Sequence, residues 1–185
     1  MRYLVLAFGL TGLAGGPLAA ATCPEAPDHG TEIGDLIEAA QSAPDEVSGR
    51  IISNQMWQYW ADAPDDYAQG LLDEGMTRRA AYDFEGAVKA FDALVAYCPA
   101  YAEGYNQRAF VNFIRQDYSA ALPDLERAVA LSPRHIAAMT GQAMTLMALE
   151  RPAEAALVLR AALELNPWLP ERHLLGALEA AEEEL

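Results

Sequence analysis

An all-α fold built from repeated helix pairs is what this sequence predicts, on three observations. Pro99, Pro133 and Pro167 recur at equal steps of 34 residues. Small and large apolar residues stand at fixed distances before each of these prolines. The composition, 52% hydrophobic and 21% charged over 185 residues, is enough for one compact domain and too apolar for a disordered chain.

The register of the repeat can be followed residue by residue. Twelve residues before each proline stands Ala87, Ala121 or Ala155, and eight before it Phe91, Leu125 or Leu159. Twenty-four before it stands Gly75, Ala109 or Ala143, and five before it Leu94, Ala128 or Ala162. A small residue halfway along a first helix lets its paired helix approach closely. The alanine near the start of the second helix does the same at the crossing, and the large residue one turn later fills the space between them. Proline then closes the second helix, which it cannot continue. Asp83 and Asp117 stand between the two helices of their units, where aspartate caps a helix. In the third unit Pro152 takes the helix start instead.

This pattern of small, small, large and proline at a 34-residue period resembles the tetratricopeptide repeat (TPR), a helix–turn–helix unit. The resemblance covers three units, 68–101, 102–135 and 136–169. It implies a right-handed superhelical α-solenoid of TPR helix pairs whose concave wall is lined by the first helices. The sequence departs from the family pattern at Glu74, Arg108 and Gln142, where leucine is expected. It departs again at Arg78, Asn112 and Leu146, where tyrosine is expected.

Two segments flank the units. The acidic N-terminal segment, 22–67, has helical pattern from Asp35 to Gln41 and from Glu46 to Ala61, punctuated by Pro44 and Pro64. Measured back from Pro64, Ile52 and Met56 fall where the alanine and the large residue belong, so the segment is a candidate degenerate fourth unit with a short first helix. One face of its second helix is expected to pack on the first unit. Trp57 and Trp60 lie three apart and share a face, with a core role favoured over an interface. Residues 170–185 read as one C-terminal capping helix, which a solenoid needs to finish its apolar end.

Charge narrows the partners. The net charge is -15, and from Cys23 to Glu74 twelve acidic residues face a single basic one, Arg50. Such a field repels phosphate backbones and anionic headgroups, so nucleic acid is not an expected partner. Residues 1–21 read as a signal peptide: Arg2, an uncharged apolar run from Tyr3 to Leu13, a Gly15-Gly16-Pro17 break, then Ala19-Ala20-Ala21. The run is too short to span a bilayer, and no later stretch is a candidate, so no stable membrane insertion is expected after cleavage near Ala21. Thr22 before Cys23 fits a lipidation site poorly. The mature chain is therefore expected to be periplasmic or secreted, where its two cysteines, Cys23 and Cys98, favour a disulfide.

The wall positions follow at fixed offsets before each proline: Leu72, Met76 and Arg79; Asn106, Phe110 and Phe113; Thr140, Met144 and Met147. Their i, i+4, i+7 spacing places each trio on one helical face. Family members that grip a C-terminal carboxylate present Lys, Arg and Asn on this wall, and here Arg79 and Asn106 alone qualify. The remaining content points to an apolar helix or peptide as ligand. A competing expectation is that the chain's own terminal helices cover the same wall.

No catalytic residue, cofactor or metal site is expected. The chain has His29, His135 and His173 but no H-E-x-x-H, and Asp62, Asp65 and Asp66 lack the spacing and glycine of a calcium loop. A helix N-cap is the expected role for the aspartates. Phosphate loops and nucleophile elbows are missing as well. The expected function is a non-enzymatic adaptor or assembly factor for a protein or peptide partner. The alternative is a homo-oligomer associating through Trp57, Trp60 or the capping helix.

Overall fold

The computed structural model describes residues 22–183, so the expected signal peptide, 1–21, lies outside the described residues. No strand occurs among the described residues. The helices are α1 (Gly30–Gln41), α2 (Glu46–Trp60), α3 (Asp66–Ala80), α4 (Phe84–Tyr97), α5 (Ala102–Ile114), α6 (Tyr118–Leu131), α7 (Ile136–Ala148) and α8 (Pro152–Leu165). A 3-10 turn, Pro170–Leu174, then leads into α9 (Leu175–Glu183), so the C-terminal cap is not one continuous helix.

Helices α3 to α8 form three antiparallel pairs, α3–α4, α5–α6 and α7–α8, each stacked on the next, with α9 on α8. The proline-anchored register explains the packing. Gly75, Ala109 and Ala143 are buried at the crossings, and Phe91, Leu125 and Leu159 fill the space beside them. A Cβ on Gly75 would lie 2.3 Å from Cε1 of fully buried Phe91, so the first pair packs as closely as a glycine allows.

The turn inside each pair repeats as faithfully. Tyr82, Gln116 and Glu150, spaced by the repeat, all adopt left-handed φ of 59–62°. The amide after each reaches back to the carbonyl of Arg78, Asn112 or Leu146, closing a Schellman motif on a residue other than glycine. The next helix is capped at once in two pairs: Asp83 accepts from the Gly86 amide and Asp117 from that of Ala120. Pro152 opens α8 as its sequence position predicts. Asp65 caps α3 through the Ala68 amide and also accepts from Tyr97 Oη.

Helices α1 and α2 do not continue the stack. No helix face of α2 packs along α3 in the way that α4 packs on α5. The two instead form a hairpin strap laid along the row of turns that follow Pro99, Pro133 and Pro167. Cys23 is bonded to Cys98 at the end of α4, across a sequence separation of 75 residues. Helix α1 then runs from the α6–α7 turn, where Arg134 donates to the Gly30 carbonyl, to the end of α8, where Gln41 donates to that of Glu164. Helix α2 returns. Its Gly49 lies against the Trp168 side chain, its Ser53 accepts from Asn166, and its Trp60 stacks on His135 at 4.3 Å. Trp60 thus packs on the third pair's first turn rather than on the first pair.

Helix α1 also starts earlier than its sequence pattern suggests. The Gly30 and Gly34 positions look like breakers, yet Asp28 Oδ1 accepts from the Gly30 amide and Ile33 and Ile37 are buried one turn apart. Both face a core shared with Met56, Ile136, Met139, Ala162 and Leu169. The tie between Cys23 and Cys98 constrains the unfolded chain by on the order of 4 kcal/mol in the loop-entropy view.

Two outcomes are expected from these features. Gly75→Ala is expected to lower stability by about 1–2 kcal/mol, because overpacking against Phe91 outweighs the helix-propensity gain of about 1 kcal/mol. Gly70→Ala on the same helix, with nothing within 4 Å of its Cβ, is expected to raise stability by about 0.5–1 kcal/mol. Urea unfolding of the two variants checks the opposite signs. The second outcome concerns acid. The Asp45, Asp65 and Asp83 carboxyls are held below their ordinary value by the backbone amides of Ser48, Ala68 and Gly86. The unfolded chain therefore takes up these protons first. Their contribution is intact above the usual carboxylate range and is lost as pH falls through their lower folded values. Denaturation midpoints are expected to hold steady from about pH 7 to 5 and to drop below about pH 4.

Candidate functional site

A cavity of about 350 Å³ opens between the first helices of the pairs. Arg79 of α3, Asn106, Gln107, Phe110 and Phe113 of α5, and Thr140, Gly141 and Met144 of α7 line it. Trp57 of α2 and Glu171 of the C-terminal 3-10 turn complete it from the strap and the cap. Phe110 is 47% exposed and Trp57 37%, large apolar surface held at the mouth of an apolar cleft.

Of the wall residues expected from sequence, Arg79, Asn106, Phe110, Phe113, Thr140 and Met144 come together here. Leu72 does not: it is fully buried in the core with Ala68, Phe91 and Tyr101. Met76 packs against that same core, and Met147 against the one holding Leu146, Leu159 and Leu178. Each has turned toward its own helix pair, although Met76 stands at the same central offset as Phe110 and Met144, and Met147 at that of Arg79 and Phe113. Trp57, Gln107 and Glu171 are groove residues that the repeat register misses, the first and last because they lie outside the repeats. Trp57 carried one signal in the sequence. The stretch from Val47 to Ala61 holds a single charge, Arg50, inside the most acidic part of the chain.

The polar floor of the groove is built rather than incidental. The guanidinium of Arg79 lies 4.7 Å from the Phe110 ring centroid and donates to Gln107 Oε1. Burial pulls this guanidinium below its ordinary value, and the nearby Glu103 carboxylate opposes the shift. Gln107 in turn donates to Glu103 Oε1, while Asn106 Nδ2 donates to Glu103 Oε2 at 2.9 Å. His135 Nε2 lies 2.7 Å from the same Oε2, and both side chains are buried. The tautomer of His135 follows from its other nitrogen. Nδ1 accepts from the Ala138 amide at 3.2 Å as the N-cap of α7, so Nε2 carries the proton and donates to Glu103. Stacked on this imidazole is Trp60 of the strap. A continuous hydrogen-bonded chain therefore joins Arg79 at the groove to the strap's seat on the turn edge.

A second polar cluster braces the opposite face of α5. Arg108 forks onto Asp124 through Nε and Nη2 at 2.8 and 2.6 Å and reaches Asp92 at 2.8 Å. These carboxylates raise its guanidinium further above its ordinary range. Tyr101, whose Oη donates to the Trp60 carbonyl, is pushed up by burial and by the Glu103 and Asp62 carboxylates. His29, the remaining histidine near the strap, pairs with Asp62 at 2.7 Å. Among the described residues no group of three or more His, Cys, Asp or Glu is placed to hold a metal ion.

The comparisons with known proteins agree with this geometry. No protein-family model matches the chain. The first TPR of Spaghetti (RPAP3), solved with an HSP90 peptide, superimposes with a TM-score of 0.60 at 22% identity, covering 63% of this chain and 93% of that one. The TPR2B domain of yeast Sti1, in a pHsp70 complex, gives a TM-score of 0.57 over 65% of this chain and 100% of that one, also at 22% identity. A MamA double mutant aligns over 86% of this chain and 88% of its own with a TM-score of 0.58 at 17% identity. At such identities the likeness is one of fold. In sequence, a TPR repeat-containing protein of Rhizobium etli is 31% identical over 109 residues, 56% of this chain and 50% of that protein. A tetratricopeptide repeat protein 36 homolog of Nematostella vectensis is 39% identical over 65 residues, 35% of this chain and 36% of that protein. In sequence and in fold the chain resembles tetratricopeptide-repeat proteins. It spans half or less of the length of these two TPR relatives.

The buried Glu103 carboxylate is the shared acceptor of this floor. Glu103→Ala would leave donors on Asn106, Gln107 and His135 without their acceptor. It is expected to cost about 3 kcal/mol of stability, measured by chemical denaturation, because an unpaired buried donor retains its full desolvation penalty.

Proposed function

We propose that this protein is an exported, non-enzymatic interaction module whose groove takes apolar side chains presented by a helix or extended segment of a protein partner. The observation that carries the reading is Phe110, an aromatic ring nearly half exposed over a cleft walled by Phe113, Met144 and Trp57. A polar or charged wall would suit a terminal carboxylate. Here Asn106 is bonded to Glu103, and Arg79 lies over Phe110 and donates to Gln107, which leaves an apolar surface to be covered. A cavity of about 350 Å³ accommodates one or two side chains of a partner rather than the body of a helix. Methionine and aromatic rings adapt to such anchors without a fixed shape.

The HSP90 peptide bound to the first TPR of Spaghetti and the pHsp70 complex of the Sti1 TPR2B domain support the reading, since they show this fold engaging other proteins. Export is supported by the apolar leader pattern of residues 1–21 and by the Cys23–Cys98 bond, a linkage that persists in oxidising compartments. Among the described residues no helix is long and apolar enough to cross a membrane. The buried Glu103–His135 pair is accounted for by the N-cap of α7 and the seat of Trp60, so it supports architecture rather than proton transfer.

The test is affinity capture from the exported fraction of the source cell, with bound proteins identified by mass spectrometry. Phe110→Ala combined with Met144→Ala is expected to reduce recovery of the captured partner at least tenfold while circular dichroism shows unchanged helicity. Undiminished recovery by the double variant would overturn the groove as the binding surface.

A further inference from the structure

The strap contributes to the groove as well as lying beside it. Trp57 belongs to α2, yet its side chain shares the cavity with Phe110 and Met144, which come from the second and third pairs. Its position is not fixed by the register of the repeats. Instead, the two ends of the strap are fastened separately. At the end nearest the first pair, Cys23 is bonded to Cys98, Tyr101 donates to the Trp60 carbonyl at 2.9 Å, and Trp60 stacks on His135. At the far end, Arg172 donates to Glu46 at 2.7 Å, Asn166 to Ser53 at 2.6 Å, and Gly49 lies flush on Trp168. Trp57 sits between these fastenings.

We propose that Trp57 is a partner-contacting residue of the groove and that the clasped strap, closed by Cys23–Cys98, positions it. The proposal rests on the groove reading above and deepens it. The site is a composite of repeats, strap and cap, and an apolar partner side chain is held between Trp57 on one side and Phe110 with Met144 on the other. The partner segment has neutral or basic flanks, because the net charge of -15 disfavours an acidic segment approaching this surface. Positioning is the role of Cys23, Cys98 and Gly49, which do not line the cavity.

The geometry at Gly49 gives a second handle on the strap that leaves the disulfide intact. A Cβ there would lie 2.4 Å from Trp168 Cβ, so any side chain lifts the far end of α2 off its seat. Releasing either end should therefore degrade the same site.

The experiment uses the full mature chain and N-phenyl-1-naphthylamine, a neutral apolar fluorophore, as the probe. Wild type, Phe110→Ala with Met144→Ala, Trp57→Ala, Cys23→Ser and Gly49→Ala are titrated in parallel, and hydrogen exchange of α2 is followed by mass spectrometry. The proposal expects Trp57→Ala to weaken the probe about fivefold or more with α2 exchange unchanged. Cys23→Ser and Gly49→Ala are expected to weaken it comparably, with faster exchange in α2. Wild-type probe affinity in Trp57→Ala overturns the contact. Wild-type affinity in both strap variants, despite faster α2 exchange, overturns the positioning. Should Cys23→Ser fail to fold, Gly49→Ala decides the same point. Wild-type affinity in the Phe110/Met144 double variant would instead remove the groove reading beneath, a failure distinct from the other two.

Discussion

The row of turns that ends each helix pair is the constraint on which the rest of the molecule depends. Because the pairs share one 34-residue register, equivalent residues of those turns fall in line: Cys98 with Asn166, and Tyr101 with His135 and Leu169. Each of these is buried, and each contacts the N-terminal segment or lies in a core shared with it. The strap reads this line as a rail. It is bonded to Cys98, hydrogen-bonded to Tyr101 and Asn166, and stacked on His135. A solenoid built from identical turns has no reason to hold an additional hairpin there. This chain has placed a thiol, a phenol, an imidazole and an amide at successive points where other residues would have closed the turns equally well.

That rail is also why the groove is a bounded cleft instead of an open trough. Trp57 of α2 and Glu171 of the cap both border the cleft, which leaves the rings and thioether around Phe110 as its apolar surface. The two competing sequence expectations, an open wall and a wall covered by the chain's own helices, are both partly met. The strap covers the turn edge and contributes Trp57, while Phe110 stays exposed. Hydrogen bonds from Arg79 through Gln107 and Glu103 to His135 tie the floor of the cleft to the seat of the strap. Three donors, from Asn106, Gln107 and His135, converge on the one Glu103 carboxylate, which favours one arrangement of α5 and α7.

How much could be read in advance divides along a physical line. Anything that depends on contacts between neighbouring helices was legible, because small residues at crossings and proline at helix ends have fixed sequence offsets. Gly75 against Phe91, the caps at Asp83 and Asp117, and Pro152 at the start of α8 all follow from such offsets. Wall residues were legible where the side chain faces the cleft, as for Phe110 and Met144. The offset alone does not decide between groove and core: Met76 stands at the offset of Phe110 and Met144 yet packs against the core of the first pair. Leu72 is buried in that core and Met147 packs half-buried against the next, while Asn106 at the offset of Leu72 lines the cleft and bonds to Glu103. The path of the strap was not legible. Its partners lie more than a hundred residues away in sequence, as with Gln41 and the Glu164 carbonyl or Glu46 and Arg172. No local periodicity encodes such a return, although the charge-poor stretch after Val47 marked α2 as a helix with surfaces to bury.

The long-range ties alter what kind of cooperativity the chain has. In a bare solenoid each unit touches only its neighbours, so stability is close to a sum of nearest-neighbour terms and unfolding starts at either end. Here the N-terminal strap touches the third pair and the cap before the chain has entered the first pair. The C-terminal end of α8 cannot fray without releasing Gln41, Ser53 and the core around Ile37, and the strap cannot lift without straining the loop closed at Cys98. Both ends of the stack are therefore coupled through one element, which joins three short pairs into a single cooperative unit. The helix that supplies Trp57 to the groove is the same one that joins the turn edge to the cap.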